Sequence, residues 1–278
     1  MTIIADSGST KTTWMEVETG KTVLTEGLNP HFSSEEQFMA ACVAVRQNLQ
    51  LSTFNLQLFF YGAGCGLPAQ RNKVAAWLDK AFGTSDVHVE TDMLAACRAT
   101  AGDQPALVGI LGTGSNACLY DGHGITHKAT STGYILGDFG SANHVGRLLL
   151  NGYLTHNMPS SLIHMFHDTY NISDAQLVDA VYHQPNPNRF LASLAPFAIQ
   201  HIDDDYCRRI VEQTLEDWFF DALLPLLRHD NSLSLNIVGG YAKAIEPTLR
   251  AVMTGHNIQV GTIVADPIEG LRRYHGDF

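Results

Sequence analysis

The chain has 278 residues, of which 45% are hydrophobic and 16% charged, and its formal net charge is −11. A net negative charge without a block of Lys or Arg argues against a protein that binds duplex nucleic acid by neutralising its phosphates. No apolar run reaches the roughly 18 residues of a membrane helix, and Asp6 interrupts the first apolar run, so no secretory signal is expected. These features predict a cytoplasmic protein without nucleic-acid or membrane partners.

Strand and helix patterns alternate in the first third of the chain. Short apolar segments bounded by turn residues predict strands at residues 2–5, 12–17, 21–26, 56–61 and 87–89. Capping residues followed by apolar residues at helical spacing predict helices that begin at Ser33 or Ser34, at Pro68 and near Met93. Such alternation is typical of crossover units around a mostly parallel sheet, so it predicts an α/β fold.

A domain boundary is predicted at residues 102–105, because the strand pattern restarts after it. The restart consists of a strand at 106–111, a turn at 112–116 and a returning strand at 117–120. The remainder is mainly helical, with helices predicted at 141–154, 173–183, 189–201 and 206–227, strands at 234–238 and 257–264, and a closing helix at 268–275.

Both halves of the chain begin with a strand, a turn of glycine and hydroxyl residues, and a second strand. Superposing the two segments places Gly8 on Gly114, Ser9 on Ser115 and Trp14 on Tyr120. A repeat that occurs only twice indicates two related domains rather than a solenoid. The predicted domains are residues 1–105 and 106–266, with the closing segment 267–278 expected to pack back on the first.

The first turn, residues 6–12, reads D-S-G-S-T-K-T. Glycine and small hydroxyl residues allow backbone N–H and side-chain O–H groups to approach an anion closely, and Lys11 adds a positive charge. Asp6 at the strand end could hold a hydrated Mg²⁺. The spacing is not that of a Walker A loop, and the alternative interpretation is an ordinary hairpin turn.

A second turn, residues 112–116, reads G-T-G-S-N and offers the same chemistry. Two such turns, one in each predicted domain, indicate a phosphate chain held from both sides. Asp92 follows a predicted strand and precedes a predicted helix. It is therefore either a helix N-cap or a functional carboxylate at the carboxyl edge of the sheet, and the two roles are compatible.

Two further glycine-rich turns are candidate ligand sites. Residues 133–141 place three glycines around Asp138, which allows a ligand or a neighbouring backbone to approach closely. Gly239 and Gly240 follow a predicted strand, so a flat ligand or a closely packed helix could lie against their backbone.

Taken in order, these motifs resemble the BadF/BadG/BcrA/BcrD-type ATPase family, which is N-acetylglucosamine kinase-like and belongs to the actin–hexokinase–Hsp70 superfamily. Residues 6–12 match its first phosphate loop, usually D-G-G-G-T-K-T, and residues 112–116 match its second. Thr91-Asp92 matches the T-D of its catalytic region, and residues 137–141 match its G-D-E-G-S motif. Gly239-Gly240 matches its adenosine loop.

The resemblance implies two ribonuclease H-like, actin-like ATPase lobes with a nucleotide cleft between them. It also implies an ATP-dependent kinase that transfers the γ-phosphoryl group to a hydroxyl of an amino sugar or related hexose. The cofactors would be ATP and Mg²⁺, the partner would be the small-molecule sugar, and a homodimer is compatible with the family.

The resemblance further implies roles for individual residues. Asp92 would be the catalytic base and Asp6 would hold Mg²⁺, through water. The residues that bind ATP and its phosphates would be Ser7, Gly8, Ser9, Thr10, Lys11, Gly112, Thr113, Gly114, Ser115, Gly239 and Gly240. The residues that bind the substrate would be Asn29, Asp92, Thr113, Gly133 and Asp138.

Two departures from the family pattern keep other functions open. Sugar kinases of the group usually carry G-G-W-G where this chain has Ser131-Thr132-Gly133, and Phe139 replaces an acidic residue. One alternative is a nucleotide- or sugar-binding sensor without turnover. The other is an activator ATPase of a dehydratase or reductase system, which needs cluster cysteines such as Cys65 and Cys118. The scattered cysteines instead predict buried, reduced thiols.

Overall fold

The structure is a computed structural model that describes residues 1–8, 10–51 and 55–276. The chain divides into two compact units. The first comprises residues 1–104, 121–124 and 266–278, and the second comprises residues 105–120 and 125–265. Among the described helices, none is long and apolar enough to cross a membrane.

The secondary-structure elements of the described residues are numbered in chain order. The strands are β1 (Thr2–Ser7), β2 (Lys11–Glu16), β3 (Thr22–Glu26), β4 (Gln57–Gly62), β5 (Val87–Thr91), β6 (Ala106–Leu111), β7 (Ser115–Tyr120), β8 (Ile125–Lys128), β9 (Leu235–Val238) and β10 (Val260–Val264). The helices are α1 (Glu35–Leu49), α2 (Pro68–Phe82), α3 (Asp92–Ala101), α4 (Gly133–Leu136), α5 (Ala142–Leu154), α6 (Ser160–Tyr170), α7 (Asp174–Tyr182), α8 (Pro187–Ala192), α9 (Ala195–Gln200), α10 (Asp205–Trp218), α11 (Leu224–Leu227), α12 (Gly240–Ala244), α13 (Glu246–Gly255) and α14 (Ile268–His275).

The first unit contains a five-stranded sheet in the order β3-β2-β1-β4-β5. β1 pairs antiparallel with β2 and parallel with β4, and β4 pairs parallel with β5. Because β-strand side chains alternate between faces, Ile3 and Ala5 join one buried cluster while Ile4 joins another. The central strand is therefore buried on both faces.

The second unit repeats this arrangement with the order β8-β7-β6-β9-β10. β6 pairs antiparallel with β7 and parallel with β9. The shared strand order agrees with the strand–turn–strand repeat predicted from the sequence. The predicted residue alignment was wrong by two positions. β1 ends at Ser7 and β6 at Leu111, so counting from the strand ends pairs Gly8 with Gly112 rather than Gly114.

Two helices predicted as continuous are interrupted in the second unit. The predicted helix 189–201 is divided into α8 and α9, and Pro196 lies in the first turn of α9. The predicted helix 206–227 changes after α10 into a π-helical turn, Phe219–Leu223, that precedes Pro225. Both corrections have the same cause, because proline lacks the N–H of a continuous helix and its ring crowds the preceding turn.

The predicted start of the first helix is confirmed. Ser34 is the N-cap of α1, and its side chain and that of Gln37 form a reciprocal capping box. The apolar residues at helical spacing that predict this helix are all buried, namely Phe38, Cys42, Val45 and Leu49. Capping and helical periodicity are local signals, so the sequence alone was sufficient to place this element.

Candidate active site

Carboxylates of the first unit meet at the carboxyl edge of its sheet. Asp6 is the penultimate residue of β1, and Asp92 directly follows β5. Since β1, β4 and β5 are parallel, their carboxyl ends lie along one edge. Burial raises the pKa of Asp6 to about 8, assisted by the negative charges of Asp266 and Asp92 and opposed by Lys11. The four side chains therefore form one electrostatic cluster.

Asp266 is a member of this cluster that the sequence motifs did not indicate. Lys11 Nζ lies 2.9 Å from Asp266 Oδ2, and the Thr13 hydroxyl donates to the same oxygen at 3.4 Å. The backbone N–H of Ile268 donates to Asp266 Oδ1 at 3.0 Å. One signal was available, because Asp266 lies two positions after the last predicted strand and Asp92 directly follows β5.

Asp92 is not the helix cap, which corrects one of its two predicted interpretations. The side chain of Thr91 is the cap, since Thr91 Oγ1 accepts from the backbone N–H of Leu94 at 3.1 Å. Asp92 is the first helical residue, is half-buried, and accepts from the backbone N–H of Met93 at 2.9 Å. A carboxylate at this position interacts favourably with the helix dipole.

The turn at residues 7–11 combines structural and exposed groups. Ser7 is fully buried, and its hydroxyl hydrogen bonds with the Thr12 hydroxyl at 2.7 Å and with the backbone of Leu28. Its side chain therefore holds the turn in place. Gly8 N–H donates to the Lys11 carbonyl at 3.0 Å, while Thr10 and Lys11 are exposed. Ser9 lies outside the described residues.

Asn29 and Asp92 approach the same loop after β4. A Cβ at Gly64 would lie 2.3 Å from Asn29 Oδ1, so the loop passes directly against the Asn29 amide. Asn29 Oδ1 also accepts from the backbone N–H of His31 at 3.0 Å. Burial and the charge of Asp92 raise the pKa of the neighbouring Cys65 thiol to about 12. The loop thus lies beside both Asn29, a predicted substrate-binding residue, and Asp92 of the carboxylate cluster.

The raised pKa of Asp6 predicts a characteristic pH dependence of stability. The pKa is about 8 in the folded protein against an ordinary 3.8. The folded state therefore binds the proton more tightly, and stability falls as the pH rises from about 4 to about 8. Asp6→Asn removes this penalty, so its free energy of unfolding is expected to exceed that of the wild type at pH 8 and to converge with it towards pH 4.

Urea denaturation of metal-free protein across this pH range measures the effect. Asp168→Asn is the matched control, because the Asp168 side chain is 83% exposed. An Asp6→Asn variant that retains the wild-type dependence of stability on pH would contradict the assigned environment of Asp6.

In the second unit, the 112–114 turn packs against Asp138. Gly112 N–H donates to the Gly114 carbonyl at 2.9 Å, and the Ser115 hydroxyl donates to the Phe139 carbonyl at 2.6 Å. A Cβ at Gly114 would lie 2.9 Å from Asp138 Oδ2. Glycine is therefore the residue that allows this carboxylate to lie against the turn.

Asp138 is held in an unusual conformation. Its φ is +52°, in the left-handed region that aspartate tolerates better than most residues. Burial raises the pKa of its carboxyl, opposed by hydrogen bonds from the Asn143 side chain and the Ser115 backbone. Gly133 opens α4 and is exposed, and Arg147 of α5 donates to two carbonyls of that short helix.

Asn143 connects the second turn to Asp138, and it was not identified from the sequence. Its Nδ2 donates to the Thr113 carbonyl at 2.6 Å and to Asp138 Oδ2 at 3.1 Å, and the residue is 1% exposed. It is a positioning residue, since it fixes two candidate ligand-binding groups relative to each other. Its place inside a helix gave no motif signal.

Asn143→Ala is expected to lower the free energy of unfolding by about 1–3 kcal/mol, because buried hydrogen-bonding groups lose their partner. Asn151→Ala is the control, since Asn151 is an exposed residue of the same helix. Equal stabilities of the two variants in urea would contradict this role.

Gly239 and Gly240 differ in their surroundings. Gly239 has a φ of +144°, and a Cβ there would lie 2.0 Å from the Leu111 carbonyl oxygen and 3.3 Å from Gly112 N. Its N–H donates to the Val264 carbonyl at 2.9 Å. A Cβ at Gly240 would meet nothing within 4 Å. The second unit thus brings Gly239 directly against the start of its glycine-rich turn.

Two lobes with a repeated five-stranded sheet define the actin-like ATPase fold, as predicted from the sequence. The chain is similar in structure to ADP-bound MreB5 of Spiroplasma citri, with a TM-score of 0.51, 11% identity, and 99% and 95% of the two chains covered. A protein named putative N-acetylglucosamine kinase from Chromobacterium violaceum gives a TM-score of 0.72 at 18% identity, covering 98% of each chain.

A second protein named putative N-acetylglucosamine kinase, from Porphyromonas gingivalis, is 36% identical in sequence. Its TM-score is 0.92, and the match covers 99% of this chain and 98% of that one. The chain belongs to the family of this Porphyromonas gingivalis protein. No protein-family model matches the chain, and neither does any curated protein.

Proposed function

We propose that the chain is an ATP-dependent kinase that transfers the γ-phosphoryl group to a hydroxyl of an amino sugar or related hexose. The observation that carries this proposal is the 36% identity, over nearly the whole length of both chains, to a protein named putative N-acetylglucosamine kinase. We also propose that the family is a branch of the BadF/BadG-type ATPases, for which the order of the five sequence motifs is the support.

The phosphates of ATP are bound, in this proposal, by residues 8–11 and 112–115. Backbone N–H groups, hydroxyls and the exposed Lys11 ammonium attract the phosphates. This attraction must act locally, because the net charge of −11 repels an anion. Gly239 and Gly240 receive the adenosine, and the open space above Gly240 suits a flat ring system. The buried Ser7 hydroxyl supports the first turn.

The residues around Asp6 fit a magnesium ion that is held mainly through water. The cluster contains three carboxylates and a single lysine, and the charges of Asp266 and Asp92 add to burial in raising the pKa of Asp6. Among the described residues, no group of three metal-ligating side chains could hold an ion directly. Mg²⁺ usually retains waters and binds through one or two carboxylates plus substrate phosphates. When bound, it would neutralise charge on the phosphates.

Asp92 is the proposed general base, accepting the proton of the acceptor hydroxyl as the phosphoryl group is transferred. Asn29, Thr113, Gly133 and Asp138 are proposed to bind the sugar. Phosphoryl transfer requires mainly alignment and charge neutralisation. The hydrogen bonds that fix Asp138 to the second turn support the proposed alignment.

A thermal-shift screen of amino sugars and hexoses, with and without ADP–Mg²⁺, tests this proposal. Ligands that bind the folded state raise its melting temperature. We expect an amino sugar to raise the melting temperature and ADP–Mg²⁺ to raise it further. Stabilisation by a sugar with no ADP production from ATP would favour the non-catalytic sensor. No stabilisation by any sugar or by nucleotide would overturn the proposal.

A further inference from the structure

A polar cavity in the first unit is lined by none of the candidate active-site residues. It has a volume of about 590 Å³ and lies where α3 and α14 pack together. Its lining includes the charged and hydroxyl side chains of Arg98, Thr100, Asp103, Arg273 and Tyr274. A cavity of this size accommodates a small organic molecule.

Arg98 forms no ion pair with the described residues, although the charge of Glu90 acts on it. Within the described residues, neither Arg98 nor Arg273 has a carboxylate oxygen within the 4.0 Å of an ion pair. The Nε of Arg98 is buried and has no hydrogen-bond partner. A half-buried guanidinium with an unsatisfied donor is unfavourable unless an anion or water supplies the missing contact.

Aromatic residues hold the Arg98 guanidinium in place. It lies 5.1 Å from the Tyr274 ring centroid and 5.8 Å from that of Tyr61. Its Nη1 donates to the Tyr61 hydroxyl at 2.7 Å, and that hydroxyl lies 2.7 Å from His275 Nε2. Burial and the charge of Arg98 lower the pKa of His275 to about 4, so the imidazole that hydrogen bonds with the Tyr61 hydroxyl is neutral. The positive charge of this network therefore stays on Arg98.

Close packing of the two helices brings the second arginine to the same cavity. A Cβ at Gly270 of α14 would lie 2.3 Å from the Ala99 carbonyl oxygen of α3, so glycine is needed for this approach. Three residues later, Arg273 lies on the same side of α14 and is exposed. The lining then contains two guanidinium groups against the single exposed carboxylate of Asp103.

We propose that this cavity is a binding site for a phosphate monoester with a small polar body, held by Arg98 and Arg273. Guanidinium groups present paired N–H donors that match phosphate oxygens. The cavity is larger than inorganic phosphate requires, and its polar lining suits a sugar-like body rather than an acyl chain. This site is separate from the proposed kinase site and does not rest on the kinase activity.

Calorimetric titration of the full chain, without ATP or Mg²⁺, tests the site. The probes are glucose 6-phosphate, inorganic phosphate and glucose. The variants are Arg273→Gln, which changes an exposed side chain, and Arg98→Lys, which keeps the charge but removes the paired donors. Arg228→Gln is the matched control, because Arg228 is an exposed arginine of the second unit. Lys11→Gln reports binding at the proposed ATP phosphate turn.

We expect saturable binding of glucose 6-phosphate that is weakened about tenfold or more in Arg273→Gln and in Arg98→Lys, the effect of losing a charge-assisted hydrogen bond. Arg228→Gln and Lys11→Gln are expected to bind glucose 6-phosphate with the wild-type affinity. The wild type is expected to bind inorganic phosphate more weakly than the ester and not to bind glucose.

Wild-type affinity for glucose 6-phosphate in both cavity variants would overturn the proposal. The same loss of affinity in Arg228→Gln as in the cavity variants would also overturn it. Equal affinity for the ester and for inorganic phosphate would overturn the assignment to an ester. Loss of binding in Lys11→Gln alone would place the phosphate at the other turn.

Discussion

Replacing Asp92 by asparagine is expected to lower kcat for phosphoryl transfer by about 10²–10⁴-fold, the usual contribution of a general base. Asparagine has nearly the same shape and still accepts from the Met93 N–H, but it cannot take up the proton of the acceptor hydroxyl. Nucleotide affinity is therefore expected to stay near that of the wild type. Coupled assay of ADP release measures kcat, and calorimetric titration with ADP–Mg²⁺ measures affinity.

Glu90→Gln is the matched control for this experiment. Glu90 is a carboxylate of β5 only two positions away, and its charge acts on Tyr61, Cys65 and Arg98 rather than on Asp6. We expect this variant to retain most of the activity. Full activity of Asp92→Asn would show that the base has been assigned to the wrong residue.

Gly239→Ala is expected to destabilise the protein by roughly 3 kcal/mol or more and to abolish nucleotide binding. The added methyl would lie 2.0 Å from the Leu111 carbonyl oxygen, at a φ of +144° that only glycine readily adopts. Both backbone strain and overpacking contribute to a loss of this size. Urea denaturation gives the stability, and titration with ADP–Mg²⁺ gives the affinity.

The adjacent glycine provides the control. Gly240→Ala adds the same methyl group where nothing lies within 4 Å, so its stability is expected to stay within about 0.5 kcal/mol of the wild type. If Gly239→Ala were as stable as Gly240→Ala, the close contact between Gly239 and the end of β6 would be absent in solution.

Phe139 departs from the BadF/BadG-type motif that residues 137–141 resemble, but the local structure is retained. That motif has an acidic residue at this position, whereas here the Phe139 ring packs edge-on against His144 at 5.2 Å. The Phe139 carbonyl still accepts from the Ser115 hydroxyl. Because this contact uses the main chain, it does not depend on the acidic side chain.

Elements with local signals could be predicted from the sequence. The predicted strand 106–111 and helix 268–275 have the bounds of β6 and α14. The strand is a continuous apolar run between Pro105 and Gly112, and the helix lies between Pro267 and Gly276, so chain-breaking residues mark their ends. The glycine-rich turns were found for the same reason, since their composition is itself the signal.

Elements stabilised by distant contacts could not be predicted. Strand β8 contains one apolar residue, Ile125, and is mostly exposed, so its pairing with β7 rather than its own pattern defines it. Helix α6 begins without a side-chain cap and buries only Leu162 and Phe166. A capping residue was absent at the start of α6, and an alternating apolar pattern was absent in β8.

Two residues of the candidate site could not be predicted for the same reason, because they interact with residues that are distant in the sequence. Asp266 belongs to the carboxylate cluster although it lies 260 positions after Asp6, and Asn143 donates to the Thr113 carbonyl, 30 positions before it. Sequence motifs identify residues that need a special backbone or appear in a known order. Asp266 and Asn143 acquire their roles through tertiary packing and belong to no such motif, and the sequence signal for Asp266 was only its position shortly after a predicted strand.

The most direct test of the proposed function is the identity of the product. The protein would be incubated with ATP–Mg²⁺ and separately with N-acetylglucosamine, other amino sugars and hexoses, and the products analysed by mass spectrometry. We expect a sugar monophosphate formed in equal amount to ADP, with negligible ADP in the absence of sugar. ADP release without an acceptor, or no sugar phosphate from any member of the panel, would contradict it.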